Sequence, residues 1–330
     1  MGGGGRYASS GIHLVLDTRD NSAMDESLSY LNGQFVPVSQ MTLPATDAGF
    51  ALGATVTEQL RTFSGRVFHL EQHLERLYRS LQIVGIQPQE APADLTSAAE
   101  KLVTANWQLG DPKDDLGLCI FATPGPLPTF HLGQSGSPCV GLHTYPLPFS
   151  LWAEKYQSGQ RLIVTDIEQV PSSCWPPELK CRSRIHYHLA DRAAAAIESG
   201  SRALLLDSAG FVRETSTANI LLYRADKGIV TPPTEDVLPG ISLAVVRRLA
   251  SRLGIPWNHS RLRCEDIASA DEVFLSSTPF CLLPVTGFNG LKIGAGTTGT
   301  TGTMFQSLIH AWSQEVGFDI VNQAQIFSCR

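Results

Sequence analysis

The first regular alternation of apolar and polar positions begins near Leu28, in the segment SYLNGQFVPVSQ. It surrounds the pair Asn32-Gly33, which favours a tight turn, and therefore predicts a β-hairpin. The next segment, TVTEQLRTFSGRVFHL, is rich in β-branched and aromatic residues and predicts two strands that turn at Ser64-Gly65. In EQHLERLYRSLQIVGI, apolar and aromatic side chains recur with the period of an α-helix, at positions 74, 77, 78, 81 and 84.

Two more elements complete this part of the chain: DLTSAAEKLVTANW predicts an amphipathic helix, and DLGLCIFATPG predicts a strand. Pro and Gly are then frequent between 124 and 150, which favours loops and a domain boundary. We therefore expect a small α/β domain at 28–150 and a larger domain at 151–330. The N-terminal segment, 1–27, has no regular pattern and is predicted to be a flexible tail.

The second half predicts alternating strands and helices. QRLIVTDI reads as a strand, 180–199 as a helix, and SRALLLDSAGFVRETSTANILLYRADKGIVTPP as several strands with turns. SLAVVRRLASRLGI predicts another helix, while EDIASADEVFLSSTPFCLLPVTGFNG predicts a short helix, a strand and a loop. The last helix is expected in MFQSLIHAWSQEVG. The order predicts a mixed α/β fold.

Composition narrows the class of protein. The chain has 330 residues, of which 43% are hydrophobic, and this is enough for two globular domains. A net charge of -6 argues against a nucleic-acid partner. No run reaches the ~18 apolar residues of a membrane span, so we expect a soluble, cytoplasmic protein without a membrane partner. The seven cysteines form no C-x-x-C pair and the histidines are scattered, which favours reduced thiols and no metal site.

Lys180 is the first residue that suggests chemistry. It heads the segment KCRSRIHYHLADRAAAAIESG, at the start of a predicted helix. A lysine whose pKa is lowered forms imines with aldehydes, although a lysine at a helix end is more often a solvated residue. Pyridoxal phosphate needs such a lysine, a carboxylate for its ring nitrogen and a group of phosphate donors. The remaining sequence must supply the other two.

Glu214 is the candidate carboxylate. It lies in GFVRETSTANILLY, a strand-like run of small polar and apolar residues, where a buried acid needs a positive partner. A pyridinium nitrogen would be such a partner. The alternative is a surface acid that pairs with Arg213 or Arg224.

The segment LPGISLAVVRRLA supplies the candidate phosphate donors. Gly240 precedes a helix that opens at Ile241 and Ser242, and free N–H groups at a helix start attract phosphate. The alternative is an ordinary helix start with a serine near its cap. Further candidates for phosphate contact are Arg76, Ser276, Ser277 and Thr278.

Taken in order along 28–320, these motifs resemble the class IV, fold-type IV pyridoxal-phosphate enzymes. That family includes branched-chain aminotransferases, D-amino acid aminotransferases and aminodeoxychorismate lyases. The stretches that carry the resemblance are GATVTEQLRTFSGRVFHLEQHLERLYRSL, ELKCRSRIHYHLADRAA, ALLLDSAGFVRETSTANILL, IVTPPTEDVLPGIS and EVFLSSTPFCLLPVTGFNG. The resemblance implies a small α/β domain, a larger domain with a β-barrel-like core, pyridoxal phosphate between them, and a homodimer.

The resemblance also implies roles for individual residues. Lys180 matches the Schiff-base lysine and Glu214 the acid at the ring nitrogen. Arg76, in the HLERL stretch, matches the phosphate arginine. The other implied cofactor contacts are Gly240, Ile241, Ser242, Ser277 and Thr278, with Tyr187 as the candidate for the phenolic oxygen.

The subfamily is less clear from the resemblance. TVTEQLR is similar to the SVFEGIR stretch of branched-chain aminotransferases, with Glu58 and Arg61 matching and Thr57 and Gln59 departing. KCRSRI is similar to the KxxNRL of the lyases, with Arg184 matching the arginine. Arg61 is a candidate for the substrate carboxylate, and its alternative is a strand-surface arginine.

We therefore expect an aminotransferase that moves an amino group from a branched-chain-like α-amino acid to a 2-oxo acid through a Schiff base at Lys180. The alternatives are a 4-amino-4-deoxychorismate lyase that releases pyruvate and a D-amino acid aminotransferase. A non-catalytic binding protein that kept the fold is the alternative from another class.

Overall fold

A computed structural model describes residues 26–130, 132–133, 136–294 and 301–329. The tail predicted for 1–27 lies, except for its last two residues, outside the described residues. The helices of the described part are α1 Ala48–Ala51, α2 Leu70–Val84, α3 Pro92–Trp107, α4 Lys155–Ser158, α5 Ile185–Ile197, α6 Ile241–Arg252, α7 Cys264–Ala268, α8 Thr303–Val316 and α9 Ile320–Ile326. None of these described helices is long and apolar enough to cross a membrane.

The strands divide between two sheets. The first contains β1 Leu28–Leu31, β2 Gln34–Pro37, β3 Val56–Phe63, β4 Arg66–Val67, β5 Leu116–Thr123 and β6 Cys139–Pro146. The second contains β7 Gln160–Val164, β8 Arg202–Leu206, β9 Val212–Thr215, β10 Ala218–Arg224, β11 Gly228–Thr231, β12 Trp257–His259, β13 Glu272–Ser277, β14 Cys281–Phe288 and β15 Leu291–Lys292. The exact domain division at residue 150 stays a prediction.

The first sheet is antiparallel, in the order β2-β1-β6-β5-β3-β4. Helices α2 and α3 cover one of its faces and form a core with it, which includes Leu60, Leu74, Leu77, Leu95, Leu102 and Leu118. The predicted hairpin is confirmed: Asn32 and Gly33 both have positive φ, 49° and 86°, as its two-residue turn requires. Strand β6 was not predicted, because the Pro and Gly around it favoured a continuous loop.

The second sheet closes on itself. Its order is β12-β11-β10-β13-β14-β7-β8-β9, and β9 also pairs with β10. Six strands therefore form a barrel, in which β7 is parallel to both β14 and β8. The predicted loop after β13 is in fact β14, a buried strand of eight residues. The mixed α/β fold with a barrel-like core is confirmed.

The helix predicted from Lys180 to Ser199 begins later, at Ile185, and ends at Ile197. The reason is that 180–182 runs beside β3 of the first sheet. The N–H of Thr57 donates to the carbonyl of Lys180 at 3.1 Å, and the N–H of Arg182 donates to the carbonyl of Thr55 at 2.8 Å. These bonds join the two sheets and fix the position of the lysine.

Candidate active site

One cavity brings the predicted lysine and the predicted acid together. Its wall is formed by the segment around Lys180, the start of α5, strand β9 with the turn that follows it, and the loop after β7. Lys180 and Glu214 both line it, together with Tyr187 and Arg184. The cavity is thus built where the first sheet meets the barrel.

Lys180 is held by its backbone and made reactive by its surroundings. Its N–H donates to Oγ of Ser80 on α2 at 3.2 Å, which adds a third hydrogen bond to the two made with β3. Burial, and next the positive charge of Arg184, lower the pKa of Lys180 to about 7. A substantial fraction of the amine is therefore neutral near pH 7, as a nucleophile requires.

Glu214 is buried in the same wall. Its Oε1 accepts hydrogen bonds from the Tyr187 hydroxyl at 2.8 Å and from Nε2 of Gln169 at 2.9 Å. Its Oε2 faces the N–H of Leu238 at 3.4 Å. Burial raises the pKa of Glu214, and the bond from Tyr187 opposes that effect. The carboxyl is consequently oriented and has room for a further partner that carries a proton.

Glu214 is not a surface acid. The two arginines considered as its partners are engaged elsewhere, since Arg213 pairs with Asp207 at 2.7 Å and Arg224 lies 3.5 Å from Asp266. The interpretation of Glu214 as one half of a surface ion pair is therefore wrong.

The predicted phosphate residues flank one end of the cavity. Gly240 is the N-cap of α6 and no side chain caps that helix, so its first N–H groups are free of side-chain partners. A Cβ at Gly240 would lie 2.1 Å from Oδ1 of Asn219, a residue of the cavity wall. Glycine is thus required for this close approach.

Arg76 connects α2 to that same loop. Its Nη1 donates to the carbonyl of Pro239 at 2.7 Å, while Nε and Nη2 donate to the two oxygens of Glu58 at 2.8 Å each. Nδ1 of His73 lies 2.7 Å from Glu58 as well. The resulting Glu58–His73–Arg76 cluster is buried and holds the guanidinium beside Gly240.

Ser277 and Thr278 reach the same end from β13. Ser276 pairs with Asn219 across the sheet, and the Ser277 hydroxyl donates to the carbonyl of Thr217 at 2.6 Å. Ile241 and Ser242 follow Gly240 as the first residues of α6, and Ser242 is buried. All the predicted phosphate residues therefore lie around the Thr217–Asn219 end of the cavity rather than at the Tyr187 end.

Arg61 is the predicted site residue that the structure does not bring to the cavity. Its side chain is 1% exposed and lies over the ring of Phe63 at 4.1 Å. Its Nη1 donates to the carbonyl of Pro279 at 2.9 Å, and Nη2 donates to Oε1 of Gln323 on α9 at 2.8 Å. The alternative of a strand-surface arginine is wrong too, because this side chain ties the first sheet to the C-terminal helix.

Sequence reasoning missed Gln169 and Asn219. Gln169 links Glu214, Tyr187 and His186 through its side-chain amide. Asn219 donates from Nδ2 to the carbonyl of Leu238 at 2.9 Å and so shapes the loop before Gly240. Neither residue lies in a pattern that the sequence makes visible; a polar side chain in the apolar run ANILLY was the one signal for Asn219.

Comparison with known proteins agrees with this site. The model of the family "Amino-transferase class IV" matches residues 55–288. A D-alanine aminotransferase of Bacillus licheniformis is 28% identical over 81% of this chain and 90% of its own length. A putative branched-chain-amino-acid aminotransferase of Methanocaldococcus jannaschii is 29% identical over 80% of this chain and 88% of its own.

Solved structures give the same result. A branched-chain amino acid aminotransferase from T.th., solved with pyridoxamine 5'-phosphate, superposes with a TM-score of 0.78 at 25% identity, over 88% of this chain and 95% of that one. The branched-chain aminotransferase of Thermoproteus uzoniensis with norvaline gives 0.77 at 25% identity and the same coverage. Because the family model spans most of the chain, the protein belongs to the class IV aminotransferase family and is an aminotransferase.

Proposed function

We propose that this aminotransferase uses pyridoxal phosphate, held at Lys180, to move an amino group from an α-amino acid with a branched apolar side chain to a 2-oxo acid. The observation that carries the proposal is the placement of a lysine with a pKa of about 7 in one cavity with the buried carboxyl of Glu214. Val170, Trp175 and Leu179 give the same cavity apolar wall, which suits a branched side chain.

The residues present fit the cofactor. Lys180 offers an amine to its aldehyde, Glu214 a carboxyl to its ring nitrogen, and the loop at Gly240 a close backbone approach to its phosphate. Arg76, Ile241, Ser242, Ser277 and Thr278 would complete the phosphate contacts, with N–H, hydroxyl and guanidinium donors. When bound, pyridoxal phosphate supplies an aldehyde that condenses with amines and a ring that accepts electron density from the substrate α-carbon.

The protein's own contribution follows from the two titrating groups. The neutral Nζ of Lys180 is the nucleophile and, once free, the base that removes a proton from the substrate α-carbon. Glu214 holds a proton in a hydrogen bond at the ring nitrogen, and Tyr187 and Gln169 fix the direction of its Oε1. Tyr187 would then act on the cofactor through Glu214 rather than at the phenolic oxygen.

We also propose a homodimer. Large apolar side chains are exposed at α1 and at the start of α5: Phe50 is 75% exposed, Leu52 64% and Ile185 69%. The two elements adjoin, because the Ser183 hydroxyl donates to the carbonyl of Gly53 at 2.8 Å. A contiguous apolar patch beside the cavity is typical of a subunit interface. The cytoplasmic location stays a prediction.

A substrate panel tests the proposal. Purified protein loaded with pyridoxal phosphate would receive L-leucine, L-valine, L-alanine or D-alanine with 2-oxoglutarate as acceptor, and glutamate formation would be measured. We expect transfer from the branched L-amino acids, and none with Lys180→Ala, while the exposed control Lys227→Ala stays active. Transfer confined to D-alanine would replace the branched-chain substrate, and pyruvate release from aminodeoxychorismate without acceptor would contradict the transaminase reaction.

A further inference from the structure

Two guanidinium groups of the described residues line the cavity, and they differ in their partners. Arg213 is neutralised by two acids, Asp207 at 2.7 Å and Asp236 at 2.5 Å. Arg184 has no carboxylate within the 4.0 Å of an ion pair among the described residues, and its Nε donates to the carbonyl of Cys181 at 3.0 Å. The cavity wall thus contains one positive charge without a fixed counter-ion.

The position of Arg184 relates that charge to the reacting amine. Arg184 is the N-cap residue of α5, four positions after Lys180, and is half-buried. Its charge is felt at Lys180, since after burial it is the largest cause of the lowered pKa there. A half-buried cation without an anionic partner is unfavourable in the empty protein, and an anion that enters the cavity relieves that cost.

The amino acid substrate brings such an anion. Its carboxylate is attached to the carbon that carries the amino group, so it must lie near Lys180 when the amine reacts. Arg61, the sequence-based candidate for this carboxylate, is fully occupied outside the cavity. Arg184 has free Nη donors in a planar group that matches a carboxylate in a two-point contact.

We propose that Arg184 binds the substrate carboxylate and thereby restricts this enzyme to amines that carry a carboxylate beside the reacting group. The inference rests on the proposed function and names the residue that gives it substrate class. It separates the two arginines of the wall: Arg213 is part of the fixed structure, and Arg184 is the group that the ligand neutralises.

The test uses an unreactive ligand, so that binding is measured apart from turnover. 4-Methylvaleric acid has a carboxylate and a branched chain but no amino group, and 4-methylvaleramide is its uncharged analogue. Calorimetry on the cofactor-loaded enzyme should show tight binding of the acid and weak binding of the amide. Arg184→Gln should weaken binding of the acid about 10- to 100-fold, the range of a charge-assisted contact, and leave the amide nearly unchanged. Arg184→Lys should retain part of the affinity.

Arg182→Gln is the matched control. Arg182 is exposed, does not line the cavity, and directs Nη2 to Sγ of Cys119 at 3.0 Å. This variant should bind the acid within about twofold of the wild type, as is usual for a surface change. Unfolding curves establish that each variant is folded.

Two outcomes would overturn the inference. Equal binding of the acid by the wild type and Arg184→Gln would mean that the carboxylate meets another group. A variant that alters cofactor affinity and absorbance but not binding of the acid would place Arg184 at the cofactor's own phenolic oxygen. In both cases the transfer reaction itself would remain, whereas a wild-type protein that gains no absorbance band with pyridoxal phosphate would contradict the proposed function instead.

Discussion

The hydroxyl of Tyr187 donates to Oε1 of Glu214 over 2.8 Å, and this bond joins helix α5 to strand β9. The same oxygen accepts from Gln169, so the carboxyl has two fixed donors on one side. The other side is left for the ring nitrogen that we propose as its partner. Glu214 therefore works as an oriented acid rather than as a general source of negative charge.

Glu214→Gln should keep bound cofactor but slow amino transfer about 100- to 1000-fold, as the loss of one oriented electrostatic contact usually does. The amide cannot hold the ring nitrogen in its protonated form. Single-turnover absorbance changes on mixing with L-leucine would measure the rate. Tyr187→Phe removes only the orienting bond and should cost about tenfold. Wild-type rates in Glu214→Gln would mean that another group holds the ring nitrogen.

The pKa of about 7 at Lys180 makes capture of the cofactor dependent on pH. Below that pH the amine is protonated and does not attack; above it the neutral form dominates. The rate at which cofactor-free protein forms the absorbance band with pyridoxal phosphate should rise with pH, pass its midpoint near 7 and reach a plateau. Arg184→Gln removes a positive neighbour, so its midpoint should move to higher pH. A midpoint near 10 in the wild type would contradict the lowered pKa.

How far the sequence leads can be judged from particular residues. Lys180 and Glu214 were predictable because each is a charged residue in a place where its pattern favours no charge. Gly240 was predictable from the helix start that follows it. Arg61 was not, because its partner Gln323 is 262 positions away and no local pattern indicates that contact. Helix α5 was predicted too long for the same reason: only the pairing of 180–182 with β3 shows that those residues are extended.

The Glu58–His73–Arg76 cluster should be important for stability. Burial alone would raise the pKa of Glu58, but the charge and hydrogen bonds of Arg76 hold it well below its ordinary value. Glu58→Gln would leave Arg76 buried without its counter-ion and should lower the free energy of unfolding by about 3–5 kcal/mol. Urea titration measures the change, and Glu75→Gln, exposed on the same helix, is the control.

The same cluster predicts loss of stability in acid, in two steps. Burial lowers the pKa of His73, whose Nε2 has no partner, so the folded state keeps this ring neutral while the unfolded state gains a proton near pH 6.5. Stability should therefore fall as the pH drops below about 6.5. The stabilisation from Glu58 persists there and is lost only well below pH 4.5, as the folded state takes up its proton. Urea midpoints that stay constant from pH 7.5 to 5.5 would contradict the neutral form of His73.

Gly240→Ala should disrupt the cofactor site without a general loss of stability. The new Cβ would lie 2.1 Å from Oδ1 of Asn219 and must displace the loop before α6. We expect the affinity for pyridoxal phosphate to fall at least about tenfold, as one charge-assisted contact to the phosphate is lost. Gly110→Ala is the matched control, because the atom nearest to its new Cβ is 3.9 Å away. Equal affinity in both variants would place the phosphate elsewhere.

The patch of Phe50, Leu52 and Ile185 predicts how the protein assembles. If it forms the interface of a homodimer, Leu52→Glu would bury an unpaired charge there and weaken association by at least about 100-fold. Sedimentation equilibrium should show two chains per particle for the wild type and one for the variant at micromolar concentration. Ile197→Glu introduces the same charge at the far end of α5, where the side chain is 67% exposed, and should leave the dimer intact. A dimer that tolerates Leu52→Glu but not Ile197→Glu would place the interface at the other end of that helix, away from the cavity.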